Sequence, residues 1–239
     1  MRYIQHIHEP RKLLVMWQAG DMYKTTPLMR TRRSVAEISP SDQGYSLRYL
    51  DCQDSIKYGF TGVAPFPIEG CIHNHNVMDA LAKRLPSQKR GDFKDFLDKF
   101  RLPHDFSGST FALLGYTGGR LPSDRLDFVP DFSHVTDPID LFLEVVGIRY
   151  YTKDSNILQS MRVDDLLQLK AEKGNEYDNH AIAVFFQGQQ IGYLNRGVSS
   201  WMYAWLEKGR GVYARISRFN GSPDRPVIYV LCSFEATAL

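Results

Sequence analysis

The spacing of apolar residues in the first half of the chain predicts strands and helices in alternation. Three short apolar runs are typical of strands: residues 12–17, 45–50 and 125–129. Two longer segments have helical spacing: residues 76–85 and 91–102. In the second of these, aromatic and aliphatic side chains recur on one face: Phe93, Phe96, Leu97 and Phe100. We therefore expect an α+β domain here.

The second half has the pattern of a small all-β domain. Five apolar runs rich in β-branched and aromatic residues predict strands: 141–151, 181–186, 191–194, 212–217 and 227–234. A single helix interrupts them, with Ser199 or Ser200 as its N-cap and Lys208-Gly209 at its end. Short strands in this number, with one helix, favour a barrel of the OB type.

One helix of this half contains two tryptophans, Trp201 and Trp205, four residues apart. Such a pair can form a platform on which bases stack. Because both fall on the apolar stripe of the helix, we favour a position in the core.

A segment rich in proline and aspartate separates the two halves. Residues 129–140 contain two prolines and three aspartates between two strand-like runs. We therefore predict a first domain at 1–132, a linker at 133–140 and a second domain at 141–239.

Composition and charge exclude several classes of protein. The formal net charge is +2, so any contact with nucleic acid is expected at a local site rather than through a general positive field. No apolar run approaches the roughly 18–20 residues of a membrane-spanning helix, and the first residues lack the apolar core of a signal peptide. Three scattered cysteines indicate no disulfide framework, so we expect a cytoplasmic protein.

Four sequence motifs in the second half resemble those of a known protein family. They are VVGIRYY at 145–151, NEYDNHAI at 175–182, GQQIGYLNR at 188–196 and the helix WMYAWLEKG at 201–209. In this order and spacing they resemble the HIRAN domain, and the resemblance covers nearly all of residues 141–236. It implies an OB-like fold that binds single-stranded DNA and, in the best-understood members, a free 3′-hydroxyl end.

The resemblance also implies a set of DNA-binding residues. Arg149 and Tyr150 match the family's Arg-Tyr pair at the end of the first strand, and Tyr177 and Asp178 match its Tyr-Asp pair. Phe219, after the fourth strand, matches a further aromatic. Beside these positions the sequence departs from the family, since Glu176 replaces a common proline and His180 a common asparagine. We include His180 among the predicted DNA-binding residues.

Elementary chemistry gives each of these side chains a role. The rings of Tyr150 and Tyr177 offer faces on which a terminal base can stack, and the planar fork of Arg149 suits a phosphate. A carboxylate accepts hydrogen bonds and does not donate them, so Asp178 would receive one from a 3′-hydroxyl and would repel a continuing phosphate. The alternative is that Tyr177 packs on the barrel and Asp178 only forms a turn.

The first half is similar to a second family. DALAKRLPSQKRGDFKDFLDKFRL followed by FALLGYTGGRLPSDRLDFVP resembles the N-terminal subdomain of HipA-like toxin kinases, over roughly residues 10–132. Because the HIRAN-like segment follows, we expect no kinase core here. The resemblance therefore implies an alternative function, an antitoxin-like subunit that restrains a HipA-like kinase in a toxin–antitoxin or phage-defence system.

The remaining signals favour ordinary structure over chemistry. Cys71, His73 and His75, with Cys52 as a fourth ligand, would suit zinc, but they lack paired ligand spacing, and loop residues are favoured. The run Arg30, Arg32 and Arg33 is expected to be a solvated surface rather than a phosphate contact. GYTGGR lacks the spacing of a phosphate loop and indicates a turn. No catalytic motif is present, so we expect a non-catalytic protein without cofactor or metal.

Overall fold

The computed structural model describes residues 2–20, 31–152, 155–176, 178–222 and 225–237. The chain divides into two compact units. One comprises His8–Phe96 and Ser107–Ser133, and the other comprises Met1–Ile7, Leu97–Phe106 and His134–Leu239. We call them the sheet unit and the barrel unit.

The sheet unit is built on an antiparallel sheet. Its strands in the described residues are β1 (Lys12–Trp17), β2 (Arg33–Ser41), β3 (Gly44–Tyr49), β4 (Ile72–His73) and β5 (Leu126–Asp131), in the order β4-β3-β2-β1-β5. The predicted strands at 12–17, 45–50 and 125–129 are confirmed as β1, β3 and β5. The pattern of β2 was missed because its charged residues and proline break the apolar run.

Four α-helices lie among the described residues of this half of the sequence. They are α1 (Gln53–Lys57), α2 (Val77–Leu81), α3 (Phe93–Lys99) and α4 (Thr110–Thr117). The predicted helices at 76–85 and 91–102 are confirmed as α2, with a 3-10 turn after it, and α3. Helix α4 was not predicted, since it is apolar on every side: every residue from Phe111 to Thr117 is buried. It begins at the N-cap Ser109 and ends at Gly118, whose φ is 73°.

The barrel unit contains a closed antiparallel barrel. Its strands in the described residues are β6 (Ile139–Val146), β7 (Leu166–Ala171), β8 (Ile182–Phe186), β9 (Gln189–Leu194), β10 (Val212–Ser222) and β11 (Arg225–Phe234). Their order around the barrel is β10-β11-β6-β9-β8-β7, and β7 pairs with β10 to close it. The predicted class, an α+β region followed by an OB-like barrel, is thus confirmed. The strand missed from the sequence is β7, although its burial alternates as a half-buried strand requires.

Three helices accompany the barrel strands in the described residues: α5 (Ile148–Tyr151), α6 (Ser155–Ser160) and α7 (Arg196–Glu207). The predicted single strand 141–151 is wrong, because Gly147, with φ of 82°, ends β6 and starts α5. The predicted Ser199 cap is also wrong. Asn195 caps α7, accepting a hydrogen bond from Gly197 N at 3.2 Å.

Two segments from the first half of the sequence belong to the barrel unit. The first segment contacts the buried Asp140, whose Oδ2 accepts hydrogen bonds from the amides of Gln5 and His6 at 2.9 and 3.1 Å. Residues 97–106 contact β10 through Arg101, which donates to the hydroxyl and the carbonyl of Ser217, both at 2.8 Å. The predicted boundary at 133–140 does not describe these segments, since a boundary read along the sequence cannot show a fold that uses distant pieces.

No helix of the described residues is long and apolar enough to cross a membrane.

Candidate nucleic-acid interface

Strand register brings the predicted site residues to one end of the barrel. Val146, at the end of β6, pairs with Tyr193 of β9, and Val145 pairs with Ile228 of β11. Ile228 in turn pairs with Phe219 of β10. On its other edge β9 pairs with β8, where Tyr193 lies opposite Ala183. Ala183 is close to the loop that joins β7 and β8. Helix α5, this loop, the start of α7 and the β10–β11 hairpin therefore meet at the same end.

Helix α5 presents an arginine and an aromatic ring to solvent. Tyr150 is 51% exposed. Arg149 Nη2 donates to the Tyr150 hydroxyl at 2.7 Å, and the guanidinium carbon lies 4.8 Å from the centre of the ring. The sequence placed this pair at the end of a strand, and the structure places it on the helical turn that follows. The two side chains thus form an exposed cationic and aromatic pair.

Asp178 organises the loop between β7 and β8. Its amide donates to Asn175 Oδ1 at 3.0 Å, and its Oδ1 accepts from the amide of His180 at 3.0 Å. Its Oδ2 accepts from Ser199 Oγ at 3.3 Å and lies 3.6 Å from Arg196 Nε, both in the first turn of α7. The turn role considered from the sequence is therefore observed. The side chain of Asp178 keeps 20% of its surface exposed.

A network of hydrogen bonds connects α5 to this loop. The Tyr193 hydroxyl donates to Glu172 Oε2 at 2.6 Å and accepts from Asn175 Nδ2 at 3.2 Å. The rings of Tyr193 and Tyr151 meet edge to face, with centres 5.5 Å apart. Burial, the bond to Glu172 and a bond with Tyr151 raise the pKa of Tyr193 far above its usual value, so its hydroxyl stays a donor. These residues hold Asn175, and through it Asp178, in place.

The other two predicted residues in the described chain lie at the margins of the same end. Phe219 is 38% exposed and belongs to β10 itself, not to a loop after it. Phe219 pairs with the fully buried Ile228, so its side chain is on the inner face of the barrel. Its partial exposure places it at the open end of the barrel. The ring of His180 packs edge to face on Tyr203 of α7, with centres 5.4 Å apart.

The family comparison agrees with this geometry. Residues 139–237 match the HIRAN domain family. This part of the chain is a HIRAN domain. The HIRAN domain is a DNA-binding domain, and Arg149 and Tyr150 give the end of the barrel described above an exposed cationic and aromatic pair.

Two solved structures are similar to this HIRAN domain. One is the crystal structure of the HIRAN domain of human HLTF, which is 22% identical over 40% of this chain and 74% of that chain, with a TM-score of 0.34. The other is a crystal structure of a protein from Lactobacillus plantarum, which is 24% identical over 41% of this chain and 97% of that chain, with a TM-score of 0.36. No curated protein matches the chain.

The family match leaves the first half of the chain unassigned. It begins at residue 139, and the predicted resemblance of residues 10–132 to HipA-like kinases, with its kinase partner, is not supported by it. That resemblance stays a prediction.

One predicted site residue, Tyr177, lies outside the described residues. The supporting residues Tyr193, Glu172 and Asn175 were not predicted. Tyr193 lies within the family motif at 188–196, Asn175 lies within the motif at 175–182, and Glu172 lies three residues before the latter. Only the pairing of β6 with β9 shows that these residues join α5 to the Asp178 loop.

The other sequence signals have structural explanations. Trp201 and Trp205 are buried, 5% and 7% exposed, and pack edge to face, which confirms the core position. Arg32 forms an ion pair with Asp127, and Arg33 lies over the ring of Tyr58, while Arg30 lies outside the described residues.

The histidine and cysteine cluster shows no metal-ligand geometry. His73 Nε2 lies 2.8 Å from the carbonyl oxygen of Pro67, a hydrogen-bond distance. Within the part of the chain that the structure describes, no three His, Cys, Asp or Glu side chains are grouped as metal ligands.

Proposed function

We propose that the HIRAN domain of this chain binds single-stranded DNA and holds its free 3′-hydroxyl end at the α5 end of the barrel. The observation that carries the proposal is the exposed Arg149–Tyr150 pair on α5. The next residue of this helix, Tyr151, contacts Tyr193, which is hydrogen-bonded to Asn175 in the loop of Asp178. Tyr177 is included from the sequence.

The aromatic and cationic pair supplies affinity. An exposed tyrosine ring can stack on a base, which contributes roughly 1–3 kcal/mol in single-strand binding. Arg149 lies over the ring of Tyr150, so a base stacked on the ring would place its neighbouring phosphate within reach of the guanidinium. Neither contact reads sequence, because every base has a flat face and every nucleotide a phosphate.

The carboxylate of Asp178 supplies end-selectivity. Its two oxygens offer about four acceptor positions, and the described contacts with His180 and Ser199 leave room for another donor. A 3′-hydroxyl can donate there, whereas a 3′-phosphate would place negative charge against the carboxylate. Arg196, 3.6 Å away, offsets part of this repulsion, so we expect selectivity rather than complete exclusion.

The role we propose is binding without catalysis. The side chains at this end of the barrel provide stacking faces, hydrogen-bond acceptors and cations. A nucleophile paired with a general base, which bond cleavage would need, is not among the roles that these contacts indicate.

The first test compares oligonucleotides that end in a 3′-hydroxyl or a 3′-phosphate, by fluorescence anisotropy. We expect the 3′-phosphate to weaken binding at least tenfold, which is about 1.4 kcal/mol. Asp178→Asn keeps an oxygen that can accept from the His180 amide but removes the charge. It should therefore reduce the preference mainly by tightening the complex with the 3′-phosphate.

Glu176→Gln is the matched control, since Glu176 is an exposed acid two residues from Asp178. It removes the same charge from the same loop and should leave most of the preference intact. Equal affinity of the unchanged protein for both ends would contradict the proposal, and so would an equal effect of the two substitutions.

A further inference from the structure

Two arginines lie together on the outer face of the barrel, outside the site described above. Arg218 of β10 lies over the ring of Tyr229, with its guanidinium carbon 4.7 Å from the centre, and 5.4 Å from that of Phe142. The two rings stack on each other, with centres 5.1 Å apart and planes 9° apart. Arg101 contacts Ser217, the preceding residue of β10. We call these four side chains, Arg101, Phe142, Arg218 and Tyr229, the outer-face patch.

The hydrogen bonding of the two guanidinium groups is incomplete. Arg101 is only 6% exposed, and its Nε and Nη2 donate to Ser217. Its Nη1 and the Nε of Arg218 are buried and have no hydrogen-bond partner among the described residues. A buried, unpaired polar group destabilises a fold, so this arrangement requires an explanation.

The charges of the pair also oppose each other. Burial lowers the pKa of Arg101, and the neighbouring charge of Arg218 lowers it further. Two nearby acids, Asp98 and Asp164, partly oppose this lowering. Asp98 already accepts a hydrogen bond from Tyr3 at 2.9 Å and lies 2.8 Å from His104 Nε2. Asp164 lies 3.6 Å from Arg2 Nε. A low dielectric strengthens the repulsion between two cations, and it equally strengthens the attraction of each cation for an anion. Two cations in a partly desolvated position therefore favour an anion near them.

The patch lies next to the proposed DNA-end site. Arg218 and Tyr229 form a cross-strand pair of β10 and β11. The next pair along these strands, Phe219 and Ile228, lies at the end of the barrel where the proposed site is. The half-buried Phe142 and Tyr229 present aromatic surface beside a cation. Glu144 faces Tyr229 across the strands, so the patch is not uniformly positive, and its cation is Arg218.

We propose that the outer-face patch is a second nucleic-acid contact, at which Arg218 binds a backbone phosphate upstream of the strand's last nucleotide. Arg101 acts behind Arg218 as a positioning residue that adds positive charge. The inference rests on the proposed function for the direction of the strand, which leaves the end of the barrel over β10. The aromatic surface of Tyr229 and Phe142 contacts the nucleotide attached to this phosphate.

The test measures oligonucleotide affinity as a function of length and salt for Arg218→Gln in the full chain. A ten-nucleotide strand should bind three- to tenfold more weakly to this variant, while a dinucleotide should bind within twofold of the unchanged protein. For the longer strand, the slope of log affinity against log salt should fall by about 0.7, the value for one phosphate contact with a single strand.

Arg215→Gln is the matched control. Arg215 lies on the same strand, three residues from Arg218, where it donates to the carbonyl of Asp164 at 3.3 Å. An equal loss of affinity and salt slope for the two variants would overturn the second contact, and so would an equal loss for the dinucleotide and the longer strand.

The two proposals fail in different ways. If the unchanged protein shows no preference for a 3′-hydroxyl but Arg218→Gln alone lowers the salt slope, the proposed end-binding is wrong and the outer-face contact stands. If the preference is present and Arg218→Gln changes nothing, the end site stands and the outer-face contact is wrong.

Discussion

Tyr150 shows how a single residue depends on its neighbours for a binding role. Its ring is 51% exposed, a large exposed fraction for an aromatic side chain in a domain with a well-filled core. The hydroxyl accepts a hydrogen bond from Arg149 at 2.7 Å, and the guanidinium lies over the ring. Arg149 thus covers part of the ring, and we propose that a base stacks on the part that is left exposed.

At this scale we predict that Tyr150→Ala weakens single-strand binding by roughly 1–3 kcal/mol, the range for a lost stacking contact. Tyr150→Phe keeps the ring and loses only the hydrogen bond from Arg149. Because this bond is exposed to solvent, its loss should cost about 1 kcal/mol or less, so the affinity should stay within about fivefold. Anisotropy titrations of the three proteins measure this. If Tyr150→Phe is as weak as Tyr150→Ala, stacking is not the contribution of this residue.

The element that connects most of the site is α7. Its N-cap Asn195 is buried, and the next turn brings Arg196 and Ser199 to the carboxylate of Asp178. Its apolar face packs in the core through Val198, Trp201, Met202 and Trp205. The helix thus connects the packed core to the loop of Asp178.

We predict that Asn195→Ala lowers the free energy of unfolding by about 1 kcal/mol, the typical loss for an N-cap. The midpoint of urea unfolding measures this. Asn220→Ala is the control, since Asn220 is exposed on β10 and a surface change of this kind usually stays within about 0.5 kcal/mol. Equal midpoints for the two variants would show that the cap does not stabilise α7.

At the scale of the whole molecule, the barrel unit is assembled from distant parts of the sequence. The carboxylate of Asp140, at the start of β6, accepts from the amides of Gln5 and His6 and lies 3.1 Å from His6 Nδ1. Ile4 in the same segment donates to the carbonyl of Arg101 at 2.7 Å. The HIRAN domain of this chain is thus completed by residues that the family match, 139–237, does not include.

We predict that Asp140→Ala releases the first segment from the barrel unit. Each hydrogen bond to a charged group contributes roughly 1.5–3 kcal/mol, so the amides of Gln5 and His6 should exchange with deuterium at least tenfold faster. Asp137→Ala, which changes an exposed aspartate three residues earlier, should leave their exchange rates unchanged. Unchanged exchange in Asp140→Ala would mean that other contacts hold the segment.

Prediction from the sequence succeeded where one pattern decides the structure. Strands β1, β3, β5, β8 and β9 are confirmed because their apolar periodicity is local. It failed where the same pattern of apolar residues is compatible with both a strand and a helix. The run that continues from β6 into α5 is mostly apolar and aromatic, and the strand ends at Gly147, which adopts a positive φ. Helix α4 was missed because a fully buried helix has no polar face to reveal its period.

The sequence by itself determined the barrel class and the family of the second half, since these depend on local periodicity and on motifs of adjacent residues. Only the tertiary structure decided which side chains meet. The link from Tyr151 through Tyr193 and Asn175 to Asp178, and the contact of Arg101 with β10, join residues that are far apart in the chain. The physical reason is that the local pattern decides which face of a strand is buried, whereas the distances between these side chains depend on how separate strands and helices pair and pack.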